Sequence, residues 1–296
     1  MSLTDLEAVA DLAPPAPRVI LIFSIGRCGS TLLSHALNTV PGVWCLSEPD
    51  AFSTRIMQHY HSRQRSNFPR DQIIRLIRVC TRLQFRPPEG QQADVFAMKF
   101  RSHAIFQADL YHQALPDAAC VFLCRDALGW ANSVYSMMRQ YDVPGSLTGP
   151  NRTLAWSIFT AGSDAAPLAR VIDLAAPDVP MELALGPAWT RNMAEYTRHL
   201  RAGVPFLALR YNEFNRDREA SIARMLRHCG LPEGHAATAM QAFETDSQSG
   251  THLSQEATTV RLPRDRLDRL AALMTRLPAF TEPNLILPNT LTAPAR

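Results

Sequence analysis

The chain has 296 residues, 46% of them hydrophobic and 19% charged, which fills one large core or two small ones and excludes a disordered chain. A formal net charge of +3 excludes a general nucleic-acid binder, which needs a broad basic surplus, and leaves room for a local cationic groove. The basic residues are lopsided in kind: of the 30 lysines and arginines, Lys99 is the only lysine.

The first residues carry Asp5, Glu7 and Asp11 ahead of Pro14, Pro15 and Pro17. They lack the basic start and apolar stretch of a secretion signal, so residues 1–17 are expected to be a flexible leader. The longest apolar run, Val19 to Phe23, falls well short of the ~20 residues a membrane-spanning helix needs. The six cysteines, Cys28, Cys45, Cys80, Cys120, Cys124 and Cys229, form no C-x-x-C pair and no Cys/His cluster at zinc-ligand spacing. A reducing, cytoplasmic setting and no bound metal are the expectation.

Arg18–Ile25 reads as a buried strand, since it is a short run of Val, Ile, Leu and Phe. It runs into Gly26-Arg27-Cys28-Gly29-Ser30-Thr31-Leu32 and then a helix over Ser30–Asn38. A glycine-bearing turn from a buried strand into a helix presents backbone N–H groups at the positive end of the helix dipole, which suits an anion. The phosphate motif G-x-x-x-x-G-K-[ST] is close in shape, but its lysine is missing. Arg27 and the hydroxyls of Ser30 and Thr31 are left to hold the anion.

The second strand, Val43–Leu46, ends at Ser47-Glu48-Pro49. A carboxylate at the carboxyl end of a buried strand, near the loop helix, can be desolvated and so made more basic, and Glu48 stands at such a place. It is alternatively a cap for a helix starting near Ala51. A helical pattern over Ala51–Leu83 breaks at Pro69, and eight arginines with His59 and His61 lie between Arg55 and Arg86. These read as a water-facing helix surface rather than a grip on an acidic acceptor.

The third strand, Val95–Phe100, carries Lys99 at its end. Lysine is a compact, mobile point charge able to follow charge developing on a leaving oxygen. His103 lies four residues further on, and a helix follows over Ile105–Leu115. The fourth strand, Cys120–Cys124, leads into Arg125-Asp126 and a helix over Leu128–Met138 that holds Ser133. An arginine leaving a strand offers a planar fork for a phosphate, with Ser133 able to bond the same group. The alternative is a helix cap beside a surface charge.

From Gly145 to Pro187 the chain is irregular and suits an inserted cap, bounded at about 142–190. Trp156, Trp189 and Tyr196 line an acceptor pocket or pack in the core, the latter being preferred. A helix over Trp189–Leu200, a fifth strand over Val204–Leu209, a helix over Arg218–His228 and another near Arg264–Arg276 follow, with a tail over residues 286–296. Strand alternating with helix predicts an α/β fold of P-loop-like, three-layer α/β/α type. Its central parallel sheet has about five strands, in one domain over residues 18–285 under an irregular helical cap.

The loop Gly26–Leu32 resembles the 5′-phosphosulfate loop of sulfotransferases that use 3′-phosphoadenosine 5′-phosphosulfate (PAPS), where the P-loop lysine is replaced. Arg125-Asp126 with Ser133 resembles the family's 3′-phosphate motif, and Arg210-Tyr211-Asn212-Glu213-Phe214 is similar to its Arg-Tyr-Glu-Asp-Leu segment, whose tyrosine helps hold the nucleotide. The pattern is closest to the tyrosylprotein and carbohydrate branches. That resemblance implies PAPS as cosubstrate without a metal. It puts Gly26, Arg27, Cys28, Gly29, Ser30, Thr31, Leu32, Arg125, Ser133 and Tyr211 on the nucleotide. It makes Glu48 the base, with Lys99 on the leaving oxygen and Ser254 near the sulfuryl group. The phenol and steroid branch uses a histidine two residues after a lysine as its base, which makes His103 the rival base, although it follows Lys99 by four. That branch's C-terminal Arg-Lys-Gly motif is absent, Arg261 being a weak substitute. The implied acceptor is a small-molecule, carbohydrate or peptide hydroxyl, or an amine, with no nucleic-acid partner and no membrane span. A P-loop kinase using Mg-ATP through Asp126 and a catalytically inactive nucleotide-binding protein are the alternatives.

Overall fold

The computed structural model describes residues 2–13, 17–56, 69–141, 146–147, 179–244 and 260–276. Five buried strands, β1 (Arg18–Ser24), β2 (Gly42–Ser47), β3 (Ala93–Lys99), β4 (Ala119–Cys124) and β7 (Phe206–Arg210), form one all-parallel sheet in the order β2-β3-β1-β4-β7. A two-residue antiparallel pair, β5 (Ser146–Leu147) with β6 (Val179–Pro180), lies apart from it.

The connecting helices are α2 (Ser30–Asn38), α3 (Arg70–Gln84), α4 (Ala108–Ala114), α5 (Ala127–Gln140) and α6 (Met181–Arg201). After β7 come α7 (Tyr211–Arg216), α8 (Arg218–His228), α9 (Ala236–Met240) and α10 (Arg264–Met274). Parallel strands need right-handed crossovers, which put α2 with α8 and α9 on one face of the sheet and α3, α4 and α6 on the other. This is the three-layer arrangement expected from the sequence. On the second face Tyr196 of α6 stacks on Phe122 at 4.5 Å, and Tyr111 of α4 packs on Phe100 at 4.7 Å and Phe23 at 5.9 Å. Each such ring, fully buried, contributes roughly 1.5–3 kcal/mol. Together they make a stiff floor beneath the carboxyl ends of the strands.

The N-terminal residues depart from the flexible leader expected of them. Leu3–Asp11 is a helix, α1, closed by a capping box between Ser2 and Asp5. Its acidic residues dock it: Arg75 Nε donates to Glu7 Oε1 at 2.7 Å and Arg82 Nη1 to Asp11 Oδ1 at 2.7 Å, while Ala10 is buried beneath. The α3 arginines are therefore not simply turned to water. Arg70 pairs with Asp109 at 2.6 Å, and Arg78 donates to the Ala114 carbonyl at 2.9 Å, so this helix face clamps α1 and α4.

Helix α6 starts at Met181, ahead of the Trp189 expected from sequence, with Pro187 inside it. Gly186 and Pro187 look like breakers in the sequence but serve packing here. A Cβ on Gly186 would meet Leu270 Cδ1 at 3.0 Å and Met274 Sδ at 3.1 Å, so the glycine lets α10 approach. The fully buried Glu182 carboxylate fixes the same contact by accepting from Arg266 Nε at 2.9 Å.

Candidate functional site

The sheet brings one candidate residue to the carboxyl end of every strand. Strand order reverses between β1 and β4, where an open parallel sheet leaves a crevice. The Gly26–Thr31 turn leaves β1 at that crevice. Its backbone is left-handed at Gly26 (φ 74°), Arg27 (φ 53°) and Gly29 (φ 84°). Gly26 N donates to Ser24 Oγ at 3.3 Å, and Cys28 Sγ donates to the Leu123 carbonyl at 3.4 Å, which pins the turn to both strands. Gly29 caps α2 without a side chain, so the first-turn N–H groups of Ser30, Thr31 and Leu32 receive no side-chain acceptor from the cap.

Arg27 Nε donates to Ser133 Oγ at 3.1 Å, joining the loop to α5 across 106 residues of sequence. The Arg125 guanidinium lies 4.6 Å over the Tyr211 ring, and its buried Nε has no hydrogen-bond partner. The Tyr211 ring in turn packs against Gly29, 3.4 Å from where a Cβ would stand. The loop, Arg125, Ser133 and Tyr211 thus form one cluster. Burial, and then the like charge of Arg125, pulls Arg27 below the usual arginine range. An orphaned guanidinium nitrogen, a second crowded guanidinium and free helix N–H groups are what a phosphate-bearing ligand requires.

Asp126 divides the labour with its neighbour. Its Oδ1 accepts from Gly129 N at 2.7 Å as the cap of α5, and its Oδ2 accepts from Asn212 at 2.8 Å. The cap reading therefore holds for Asp126, while Arg125 points at the cluster. Trp189, fully buried, donates its indole N–H to the Arg125 carbonyl at 2.8 Å and holds that turn; Tyr196 is core.

The second group lies one strand away on the β2–β3 side. Ser47 pairs with Lys99 in the β2–β3 register, so Glu48 emerges beside the Lys99 backbone, and Glu48 N donates to the Lys99 carbonyl at 2.6 Å. The Lys99 ammonium, 4% exposed, is ion-paired with Glu48 Oε1. Arg101 Nε lies 3.3 Å from Glu48 Oε2. Glu48 thus spends its carboxylate on two cations, and its backbone is left-handed (φ 53°). Among the described residues Arg27 and Glu48 are the non-glycine positions with positive φ. Such conformations cost about 1–3 kcal/mol each and gather at functional sites. Lys99 and Arg125 both reach Cys28 electrostatically, which ties the two groups together, although burial dominates and pushes that thiol up to about 11.

His103 lies half-buried on the short 3-10 helix Ser102–Gln107, whose Ser102 Cβ is 3.6 Å from where a Gly26 Cβ would stand. Arg261 is exposed where the chain returns past α5, through Leu262 N donating to Asn132 at 2.9 Å. Ser254, His59, His61, Trp156, the tail 286–296 and most of the expected cap lie outside the described residues. Arg101 escaped the sequence reading. Its one signal, a position two residues beyond the lone lysine, is indistinguishable in sequence from a surface arginine. Among the described residues no group of three His, Cys, Asp or Glu is placed to hold a metal.

A family model described as "Sulfotransferase family" matches residues 17–235. Among solved structures, a sulfotransferase from Alicyclobacillus acidocaldarius is 15% identical, with 88% of this chain and 92% of that one covered at a TM-score of 0.50. Sulfotransferase STF9 from Mycobacterium avium is 13% identical, with coverages of 93% and 79% and a TM-score of 0.49. Mouse sulfotransferase SULT7A1, complexed with PAP, is 11% identical, with coverages of 94% and 90% and a TM-score of 0.45. At these identities the likeness speaks for the fold, and the first structure carries it. No curated protein matches the chain.

Proposed function

The chain belongs to the sulfotransferase family, and we propose that it moves the sulfuryl group of PAPS to a hydroxyl, or an amine, acceptor by in-line transfer. In this reading the Gly26–Leu32 turn with Arg27 holds the 5′-phosphosulfate. Arg125 and Ser133 hold the 3′-phosphate, and Tyr211 packs beside them. Glu48 takes the acceptor's proton as its oxygen attacks sulfur. The sulfur–oxygen bond to the phosphate breaks, the electron pair stays on the phosphate oxygen, and Lys99 meets the charge that builds there. Ser254 and His103 are further candidates for the sulfuryl group and the proton, and the tyrosylprotein and carbohydrate branch is the closer pattern.

The observation that carries this reading is the pairing at the strand ends. The sole lysine is buried against a carboxylate held in a strained backbone, one strand from a turn whose own arginine is strained in the same way. The Glu48–Lys99 pair must open for both roles, since Lys99 has to turn from Glu48 toward the donor. A kinase reading is less supported, because both Asp126 oxygens are engaged by the α5 cap and Asn212. A cytoplasmic setting accords with all six cysteines being unpaired, and no described helix is long and apolar enough to cross a membrane.

Equilibrium titration tests the proposal. Adenosine 3′,5′-bisphosphate is expected to bind in preference to Mg-ATP, and radiolabelled PAPS to pass sulfate to acceptors in an extract. Preference for Mg-ATP overturns the reading, and bisphosphate binding without transfer to a broad acceptor panel favours a regulatory protein.

A further inference from the structure

Arg101 differs from the arginines of α3 in what it does with its charge. Arg75 and Arg82 dock α1, and Arg70 and Arg78 tie α3 to α4. Arg101 follows β3, is 46% exposed at its side chain, and reaches two carboxylates at longer range: Glu48 Oε2 at 3.3 Å and Asp50 Oδ1 at 3.4 Å. Asp50 is itself 82% exposed, so it anchors the guanidinium from the solvent side without burying it. Arg101 therefore joins no two elements of the core, and its contacts converge on one side chain of the candidate site.

That side chain needs holding. Glu48 sits at φ 53°, and its tethers are the backbone bond to the Lys99 carbonyl, the Lys99 ammonium on Oε1 and Arg101 on Oε2. Resting on the proposed reaction, Lys99 has to leave Oε1 to face the leaving oxygen. The carboxylate then keeps one charged side-chain tether. We propose that Arg101 is a positioning residue that holds the Glu48 carboxylate toward the acceptor once Lys99 has turned to the donor. Its Nε faces Oε2 while Nη2 is held by Asp50, leaving the oxygen vacated by Lys99 to receive the proton. Arg101 touches neither donor nor leaving oxygen in this scheme, so it acts through Glu48 alone.

The test is release and transfer of sulfate from radiolabelled PAPS, with p-nitrophenol and with water as acceptors, beside calorimetric titration of adenosine 3′,5′-bisphosphate. Arg101→Ala is expected to lower kcat about tenfold or more, the scale of a misplaced catalytic group, while bisphosphate affinity stays within about twofold. Arg101→Lys retains part of the rate, and added guanidinium raises the rate of Arg101→Ala but not of the wild type. Arg264→Ala, which removes a 92% exposed guanidinium from α10, stays near wild type and serves as the surface-arginine control, and Arg101→Ala is checked for folding by its thermal melt. An Arg101→Ala kcat close to wild type overturns the proposal, as does a rate loss matched by an equal loss of bisphosphate affinity. A wild type that neither binds the bisphosphate nor releases sulfate overturns the sulfotransferase reading and this inference with it, whereas an active wild type with an indifferent Arg101 overturns the inference alone.

Discussion

At Arg27 and Glu48 the backbone bends into the left-handed region with a side chain attached, and each side chain is then tied down within its own group. Strain held in place by tethers is a means of aiming a functional group. Glu48→Gln keeps the shape and removes the proposed base, so turnover is expected to fall by ~10²-fold or more with bisphosphate affinity nearly unchanged. Wild-type activity in that variant moves the role to His103, tested by His103→Ala. Arg125→Ala removes a half-buried guanidinium whose buried Nε is unpartnered, and should weaken the bisphosphate by about 2 kcal/mol or more in a calorimetric titration. Unaltered affinity breaks the 3′-phosphate assignment.

The elements show which parts of the chain announce themselves. Strands buried on both faces read as unbroken apolar runs, and all five sheet strands fall within two residues of where that pattern sets them at their starts and ends. The motif residues on their carboxyl ends were legible for the same reason, since a strand end fixes where a side chain emerges. Helix α1 was not legible, because its docking rests on ion pairs to arginines some 70 residues away, Glu7 to Arg75 and Asp11 to Arg82, which no local pattern encodes. The start of α6 was hidden by Gly186 and Pro187, whose purpose is visible only once α10 packs there. Arg101 stayed hidden because its meaning depends on a contact with β2's end rather than on its neighbours in sequence. The α6–α10 joint gives a test at this scale. Glu182→Ala strands Arg266 and is expected to cost about 3 kcal/mol, read as a lowered urea midpoint with an unchanged slope.

Across the whole molecule, burial keeps the thiols neutral. It pushes Cys28 and Cys80 up to about 11 and Cys45, Cys120 and Cys229 up to about 12, from an ordinary value of 9.0. In the unfolded chain these thiols ionise near 9.0, so the fold binds their protons more tightly than the unfolded chain does. Their contribution to stability is complete below that pH and is lost as pH rises from there through 11 and 12. Urea unfolding at about pH 8 and about pH 10 should show a drop of roughly 1 kcal/mol or more, and equal midpoints would contradict it.

The seclusion of Lys99 gives the protein an unusual reagent profile. Every other basic side chain is a guanidinium, so apart from the chain's terminal amine, acylating dyes and amine-directed crosslinkers have one target, and it is 4% exposed and paired. Uptake of a second dye molecule per chain therefore reports directly on the opening of the Glu48–Lys99 pair, with no other lysine to subtract.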